Sequence, residues 1–419
     1  MAVTSIGFQK TPARPTEITF AANTNLPDPN QTVGLIGHMG PTGGAAVSGV
    51  ASGSAVPYSV VPMSNVAESV AGATEANAKF GEGSELAKMV IAAIKANEAV
   101  GSSNFPQITC IPLQQTDADF GELNVALKPK GLAAADKFEC EFLVSPYDGE
   151  DTVLGDQLEE QAQTMSGATR VQNGQYGTIS VAFNRSVQDP STLHKYDSQF
   201  ICPAWLRDIS DGSNPSFAAP AKSVAEMAAA VAAIMASGTV PFNPQDDKVM
   251  GDIDAPSNSE DWITVGAGLE SEAALGRGWT PIRVLPNGDV SLVRTVTSRL
   301  TTGDGVTQVL SYYDVQDFQV LYFFRKAIVN RLNQPDFKNV KNSAQKRIDA
   351  KNAVVKLASD FEDQGMLQAV AQLAPLIVVE QNATDRSRMD IFIPVNVVPG
   401  LHVVATNIQA TTEFDVITV

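Results

Sequence analysis

The sequence predicts a multi-domain α/β and α+β protein. An outer α/β domain with a mostly parallel sheet precedes a C-terminal α+β domain that the N-terminal arm completes. Three observations carry this reading. Apolar strands and amphipathic helices alternate from residue 33 to residue 236. The rhythm changes after residue 280, where a hairpin signal leads into two long helical segments and then into strands. The first 32 residues hold one strand-like piece with no local partner. The length, 419 residues, fits two or three domains at roughly 100–200 residues each.

Residues 1–32 read as an arm. Its strand-like piece is "TEITF", Thr16, Glu17, Ile18, Thr19 and Phe20, in which Ile18 and Phe20 alternate with polar neighbours. Pro12, Pro15, Pro27 and Pro29 flank it and keep it out of a longer local element. Such a strand must pair with something distant, in this chain or another.

Residues 33–120 form a first strand–helix–strand unit. "TVGLIGHMG" is a short apolar strand running into glycines. A Gly/Ala/Ser-rich connection follows, Pro41 to Ala55. Ser84 reads as the N-cap of a helix whose Leu86, Met89, Val90, Ala93 and Ile94 recur at helical spacing. "QITCIPL" is the next strand. Residues 121–280 repeat the pattern. Strands "DKFECEFLVSPYDG", "YGTISVAF" and "QFICPAW" alternate with "TVLGDQLEEQAQTMSG", a helix stopped by Gly167, and with the Ala-rich "SVAEMAAAVAAIMASG". In the latter Ser223 and Glu226 make a capping-box pattern, and Gly238 is the stop.

Residues 281–410 form the C-terminal domain. Asn287-Gly288-Asp289 sits between two alternating runs, a hairpin signal. A helix follows with Phe318, Leu321, Tyr322, Ile328 and Leu332 at helical spacing. The next has Ala344, Ile348, Val355 and Ala358 on one stripe facing the core and ends at Gly365. Strands "PLIVVEQ" and "MDIFIPVNVVPG" come next. Residues 411–419 form an extended C-terminal arm. Its Phe414, Asp415, Val416, Ile417, Thr418 and Val419 have β-propensity and no hairpin partner.

Charge and composition exclude several classes. The net charge is −17, from 29 basic and 46 acidic residues, which argues against nucleic acid or an anionic membrane as partner. The longest apolar stretch, Val224 to Ala236, is too short to span a bilayer, and the N-terminus lacks the apolar core of a secretory signal. Three cysteines, Cys110, Cys140 and Cys202, form no CxxC pair, and His38, His194 and His402 are the only histidines. "GHMGPTGG" is not GxGxxG, no GK[ST] exists, and no Ser-bearing glycine turn offers a nucleophile. Asp148, Glu150 and Asp151 stand at a strand end, where they can hold a cation or simply favour the next helix N-terminus. Asp246, Asp247, Asp252 and Asp254 lack the EF-hand order. No cofactor, metal or catalytic residue is expected.

One segment breaks the acidic pattern. Residues 325–356 contain nine cations and two acids, +7, which leaves −24 on the rest of the chain. The plain reading is a solvated helix face. The functional one is a surface for an acidic partner.

In order and spacing the chain resembles the tail sheath proteins of contractile phage tails, especially the shorter Mu-like sheaths. The likeness rests on the arm before "TVGLIGHMG", on "KFGEGSELAKMVIAAIKAN" before "ITCIPL", and on "FLVSPYDG" before a helix. It continues through "GRGWTPIRVLPNGDVSLVRTVTSRLTT", "LYFFRKAIVNRL" and the block "VVEQNATDRSRMDIFIPVNVVPGLHVVATNIQ". The gap before "SPYDG" is shorter here than in many Mu-like sheaths. The resemblance implies a virion protein, synthesised in the host cytoplasm, that forms a helical homo-oligomer of six-fold rings around a tail tube. Its partners are other sheath subunits, the tube, the baseplate and the tail terminator. It also implies that 281–410 is the sheath core domain and that some of Lys338, Lys341, Lys346, Arg347, Lys351 and Lys356 face the tube. The rivals are an α/β enzyme acting on a nucleotide or ester, and another tail or baseplate structural protein.

Overall fold

The computed structural model describes residues 31–39, 68–70, 72–101, 106–114, 135, 139–148, 158–159, 161–163, 165, 178–184, 189–206, 223–240, 242–251, 267–285, 289–301, 314–338 and 340–401. They divide into two compact units. The larger runs up to Tyr322 and resumes at Val397, and the smaller is Phe323–Asn396.

The larger unit is built on one sheet. Its strands are β1 (Thr32–Met39), β2 (Glu68–Val70), β3 (Gln107–Gln114), β4 (Phe142–Asp148), β5 (Ile179–Asn184), β6 (Ile201–Trp205), β7 (Thr280–Val284) and β8 (Val290–Leu292). Their spatial order is β2-β3-β1-β4-β5-β6-β7-β8. Every pair from β3 to β7 is parallel, and only the two edge pairs, β2–β3 and β7–β8, are antiparallel. All six residues of β5 and all five of β6 are buried. Strands covered on both faces have no polar side to present, which is why these read as near-continuous apolar runs.

Helices supply the cover. They are α1 (Ala73–Phe80), α2 (Glu85–Val100), α3 (Val224–Ala236) and α4 (Ala267–Leu275). The helices α2 and α3 pack together against β1, β4 and β5. Val181, Phe183, Cys202 and Ala204 belong to the core on that side, together with residues of α2 and α3. Ala182, Ile201 and Trp205, on the alternate positions, join Trp279 and Ala274 in a second core. The Ala-rich α3 is buried from Ala225 to Ala236, as a helix apolar on all sides must be. Its capping box forms as expected: the Ser223 Oγ accepts from Glu226 N, and the Ser223 N–H donates to Glu226 Oε2 at 2.7 Å. Ser84 caps α2 through Ala87 N. At the end of α4, Gly278 has φ +77°, and a Cβ there would lie 2.6 Å from Ser298 Cα. Only glycine fits.

The expected boundaries at 120/121 and 280/281 do not coincide with these units. The strands of 33–120 and of 121–280 share one sheet. The hairpin β7–β8 extends it, because β7 pairs in parallel with β6. The change of unit falls instead inside α5 (Val315–Leu332).

The smaller unit holds the end of α5, then α6 (Ala344–Asp363), α7 (Val370–Leu373), β9 (Val378–Gln381) and β10 (Met389–Phe392). The ring of Phe361 packs against Phe323 and Phe324, with centroids 5.4 and 5.0 Å apart. The buried stripe of α6 is Ala350, Val354, Leu357, Ala358 and Phe361. This corrects the expected stripe. Ala344 is exposed, Ile348 is 53% exposed and Val355 is half-buried, and only Ala358 is shared. Gly365, at φ +76°, ends α6 as expected. Its N–H donates to Glu362 O, and that of Met366 to Phe361 O, the paired bonds of a Schellman stop. No described helix is long and apolar enough to cross a membrane.

Candidate interaction surface

The smaller unit holds most of the basic segment that sequence alone marks as unusual, together with the two-stranded ribbon β9–β10. Of the basic residues, several are already engaged. Arg331 grips Asp336 with two hydrogen bonds, 2.9 and 2.8 Å, and holds its carboxyl below the ordinary range. The same guanidinium lies 4.9 Å from the Phe337 ring centroid, and Lys346 Nζ is 5.7 Å from that centroid. Lys346 also pairs with Asp349 at 3.2 Å. Arg347 Nη1 donates to Asn342 O and Oδ1 at 3.4 and 3.2 Å. Lys351 Nζ donates to Pro375 O at 3.5 Å. Lys338 and Lys341, in the connection from α5 to α6, are exposed, and their side chains bond to no described residue. Lys356 is exposed on α6 and lies within electrostatic reach of Asp360. The six candidates therefore split: Lys338 and Lys341 are exposed with no side-chain bond to a described residue, Lys356 is exposed near Asp360, and Lys346, Arg347 and Lys351 are half-buried and tied locally.

The connection from β9 to β10 is a rigid polar turn. Asn382 Oδ1 accepts from Thr384 N, Thr384 Oγ1 and Asp385 N at 2.7–3.0 Å. Its amide donates to Asp390 Oδ2 at 2.6 Å, and Arg388 Nε to Asp390 Oδ1 at 2.6 Å. These bonds, the Asn382 one first, depress the Asp390 pKa. Asp385 accepts from the Ser387 hydroxyl and N–H. Asn342, before α6, reaches the turn: its amide donates to Arg386 O at 3.2 Å and Arg388 O at 3.0 Å. Arg386 itself is exposed. Sequence reasoning missed Asn342, Phe337 and Arg386. The signal was the polar turn "NATDRSR", whose self-bonding residues lock a loop.

Among the described residues, β9 and β10 pair only with each other, in antiparallel register from Met389↔Gln381 to Phe392↔Val378. That last pair is apolar and open to solvent, Val378 at 47% and Phe392 at 66%, with Leu376 at 57% just before β9. A two-stranded ribbon is marginal alone, and among the described residues its outer edges have no strand partner. The expected donor strands, Thr16 to Phe20 and Phe414 to Val419, lie outside the described residues.

The three cysteines are buried and form no disulfide, and burial pushes the Cys202 thiol up to about 12.

No protein-family model matches the sequence, and no curated protein matches it. Solved structures do match the fold. A sheath tail protein from Listeria innocua superposes with a TM-score of 0.58 at 10% identity, over 88% of this chain and 92% of that one. A sheath tail protein from Desulfitobacterium hafniense gives 0.56 at 11% identity, over 95% and 97%. A chain in the cryo-EM structure of the anti-feeding prophage baseplate, six-fold symmetrised, gives 0.58 at 11% identity, over 98% and 99%. The chain thus has the fold of tail sheath proteins over nearly its whole length. These neighbours are structural tail components rather than enzymes.

Proposed function

We propose that this chain is the structural subunit of a contractile tail sheath of the short, Mu-like kind. Copies polymerise as stacked six-fold rings around a tail tube, between baseplate and terminator, and contract to drive the tube through the host envelope. The observation that carries this reading is the fold match to sheath tail proteins over 88–95% of this chain and 92–97% of theirs.

The β9–β10 ribbon supports it as the acceptor of a neighbour's strands. In this reading 1–32 and 411–419 are the donating arms, and the core domain within 281–410 is closed by them. Main-chain hydrogen bonds hold whatever the side chains, so strand exchange keeps subunits joined while they reorient. Six or seven residues at ~3.3 Å each reach about 20 Å, enough to span a neighbour's edge. A heterologous contact of this kind builds open helices. The free cations of the smaller unit face the tube. The work of contraction is the difference in contact free energy between two packed lattices.

The likeness to the prophage baseplate favours a second reading, a tail component confined to the baseplate. Negative-stain electron microscopy of purified protein separates the two. A sheath subunit forms long hollow tubes of uniform diameter, and a baseplate component stops at single rings. A small closed oligomer would sink both.

A further inference from the structure

We propose that residues 369–395, the segment that carries the β9–β10 ribbon, form a hinged module that pivots at a strained Ala369 and is latched to the start of α6 by Asn342. Little holds this segment from inside. Of its 27 residues only Val370 and Ile377 are buried. A segment with so little buried apolar surface sits at the low end of local stability. Its two ends meet at a neck. The Gln368 N–H donates to Asn396 O at 2.9 Å, and the Gln368 side-chain amide donates to Asn396 Oδ1 at 3.4 Å. The module is therefore closed on itself and swings as a body about that neck.

The pivot carries strain. Ala369, directly after Gln368, has φ 59° and ψ 29°, the left-handed region, which alanine enters at a cost and glycine does not. Such a residue keeps that conformation only while its surroundings impose it. Here the surroundings are the Gln368–Asn396 bonds and the Val370 N–H, which donates to Glu362 Oε1 at 3.1 Å. The end of α6 beside the neck is itself weakened. Asp360 and Asp363 stand in its last turn, and no basic residue there offsets the negative end of the helix.

The latch is cheap to open. Asn342 Nδ2 donates to Arg386 O at 3.2 Å and to Arg388 O at 3.0 Å. Each of these carbonyls already has a donor inside the module, Gln381 Nε2 at 2.7 Å and Asn382 N at 3.0 Å respectively. When Asn342 withdraws, neither oxygen loses its last partner, and water takes up the freed amide. Arg347 Nη1, donating to Asn342 Oδ1 at 3.2 Å, keeps the latch side chain aimed. A second tie, Lys351 Nζ to Pro375 O, is long at 3.5 Å and exposed. The turn between β9 and β10 is locked by its own bonds, so the ribbon moves without changing shape. What the swing serves rests on the sheath reading, in which a subunit packed in two lattices needs its acceptor ribbon at two angles. The hinge itself does not.

The test is double electron–electron resonance on the full chain, diluted with unlabelled protein, with nitroxides at Ala383→Cys in the ribbon turn and Asn352→Cys on α6. Both positions are exposed, the three native cysteines are buried, and Asn352 lies roughly 15 Å along the helix from the latch. The otherwise unaltered chain should show one main distance and a minor second one. Asn342→Ala should raise the second population about five-fold or more. Asn342→Asp, which keeps the shape but loses both donations, should do the same. Adding Ala369→Gly should return most molecules to the first distance, because glycine removes the strain that drives the pivot. A single unchanged distance in every variant overturns the hinge, and so does broadening without a second distance, which would mean fraying of the ribbon. A second population that Ala369→Gly leaves equal or enlarges overturns the role of Ala369. Failure of the sheath reading is seen separately, as absence of tubes in the microscope while the two distances persist.

Discussion

Asp197 shows how one side chain holds two distant stretches of the larger unit. It sits at φ 48°, a left-handed conformation that Asp tolerates through local hydrogen bonding. Its carboxylate accepts from Leu300 N and Thr301 N at 2.8 Å and from the Thr301 hydroxyl. Burial raises its pKa, but the Thr301 hydroxyl and the two N–H donors outweigh this, so the folded value lies below the ordinary one. A depressed folded pKa means that the stabilisation is complete above the unfolded value, near 3.9, and is lost as pH falls through the folded value. Asp197→Ala should cost about 1–2 kcal/mol at neutral pH, by leaving two N–H groups without a partner. Urea melts below pH ~4 should show wild type and variant converging. A gap that persists at pH 2 would assign the effect to backbone strain rather than to the carboxylate. Nothing in the sequence singles out Asp197, since its partners are about 100 residues away.

At the scale of elements, α6 separates what a helical pattern tells from what it does not. Both the expected stripe, 344/348/355/358, and the observed one, 350/354/357/358/361, have helical spacing. The sequence contains enough apolar residues for either, and only the packing of Phe361 against Phe323 and Phe324 decides. Phe361→Ala should destabilise the protein by about 3–5 kcal/mol, while Ile348→Gln should stay within about 0.5 kcal/mol. Equal losses in thermal melts would restore the stripe through Ile348. The same logic explains α5, where Phe318 and Tyr322 are buried as expected but Val320, Phe323, Phe324 and Ala327 are buried too. The helix changes unit along its length, so no single face serves the whole of it. Caps, by contrast, were legible residue by residue. Ser84, Ser223 with Glu226, and Gly365 act where a four-to-six-residue window says they should.

For the whole molecule, the proposed assembly depends on strands that the ribbon β9–β10 lacks within the described chain. Removing residues 413–419 should leave a monomer whose thermal melt matches the wild type but which forms no tubes in the microscope. Long tubes from the truncated protein would assign strand donation to the N-terminal arm alone. Lys338→Glu with Lys341→Glu should keep the fold and the polymer yet reduce co-sedimentation with purified tube at low salt. The effect should fade as the Debye length shrinks from about 10 Å at 0.1 M salt. Co-sedimentation that is unchanged at every salt concentration would move tube contact elsewhere.

The sequence by itself determined the local grammar of this protein: the alternation that makes a parallel sheet, the caps, the hairpin at 280–292, and an isolated block of positive charge. Each of these depends on residues within a few turns or one charge count, where propensity and solvation act directly. Tertiary structure alone decided that both strand–helix stretches share one sheet, and that the unit boundary falls within α5. It also decided that the Asn342 side chain reaches the backbone carbonyls of Arg386 and Arg388 in the β9–β10 turn. Those facts depend on which distant groups come within hydrogen-bonding or van der Waals reach. Such pairings are governed by the packing of the whole core, so no window of sequence contains them.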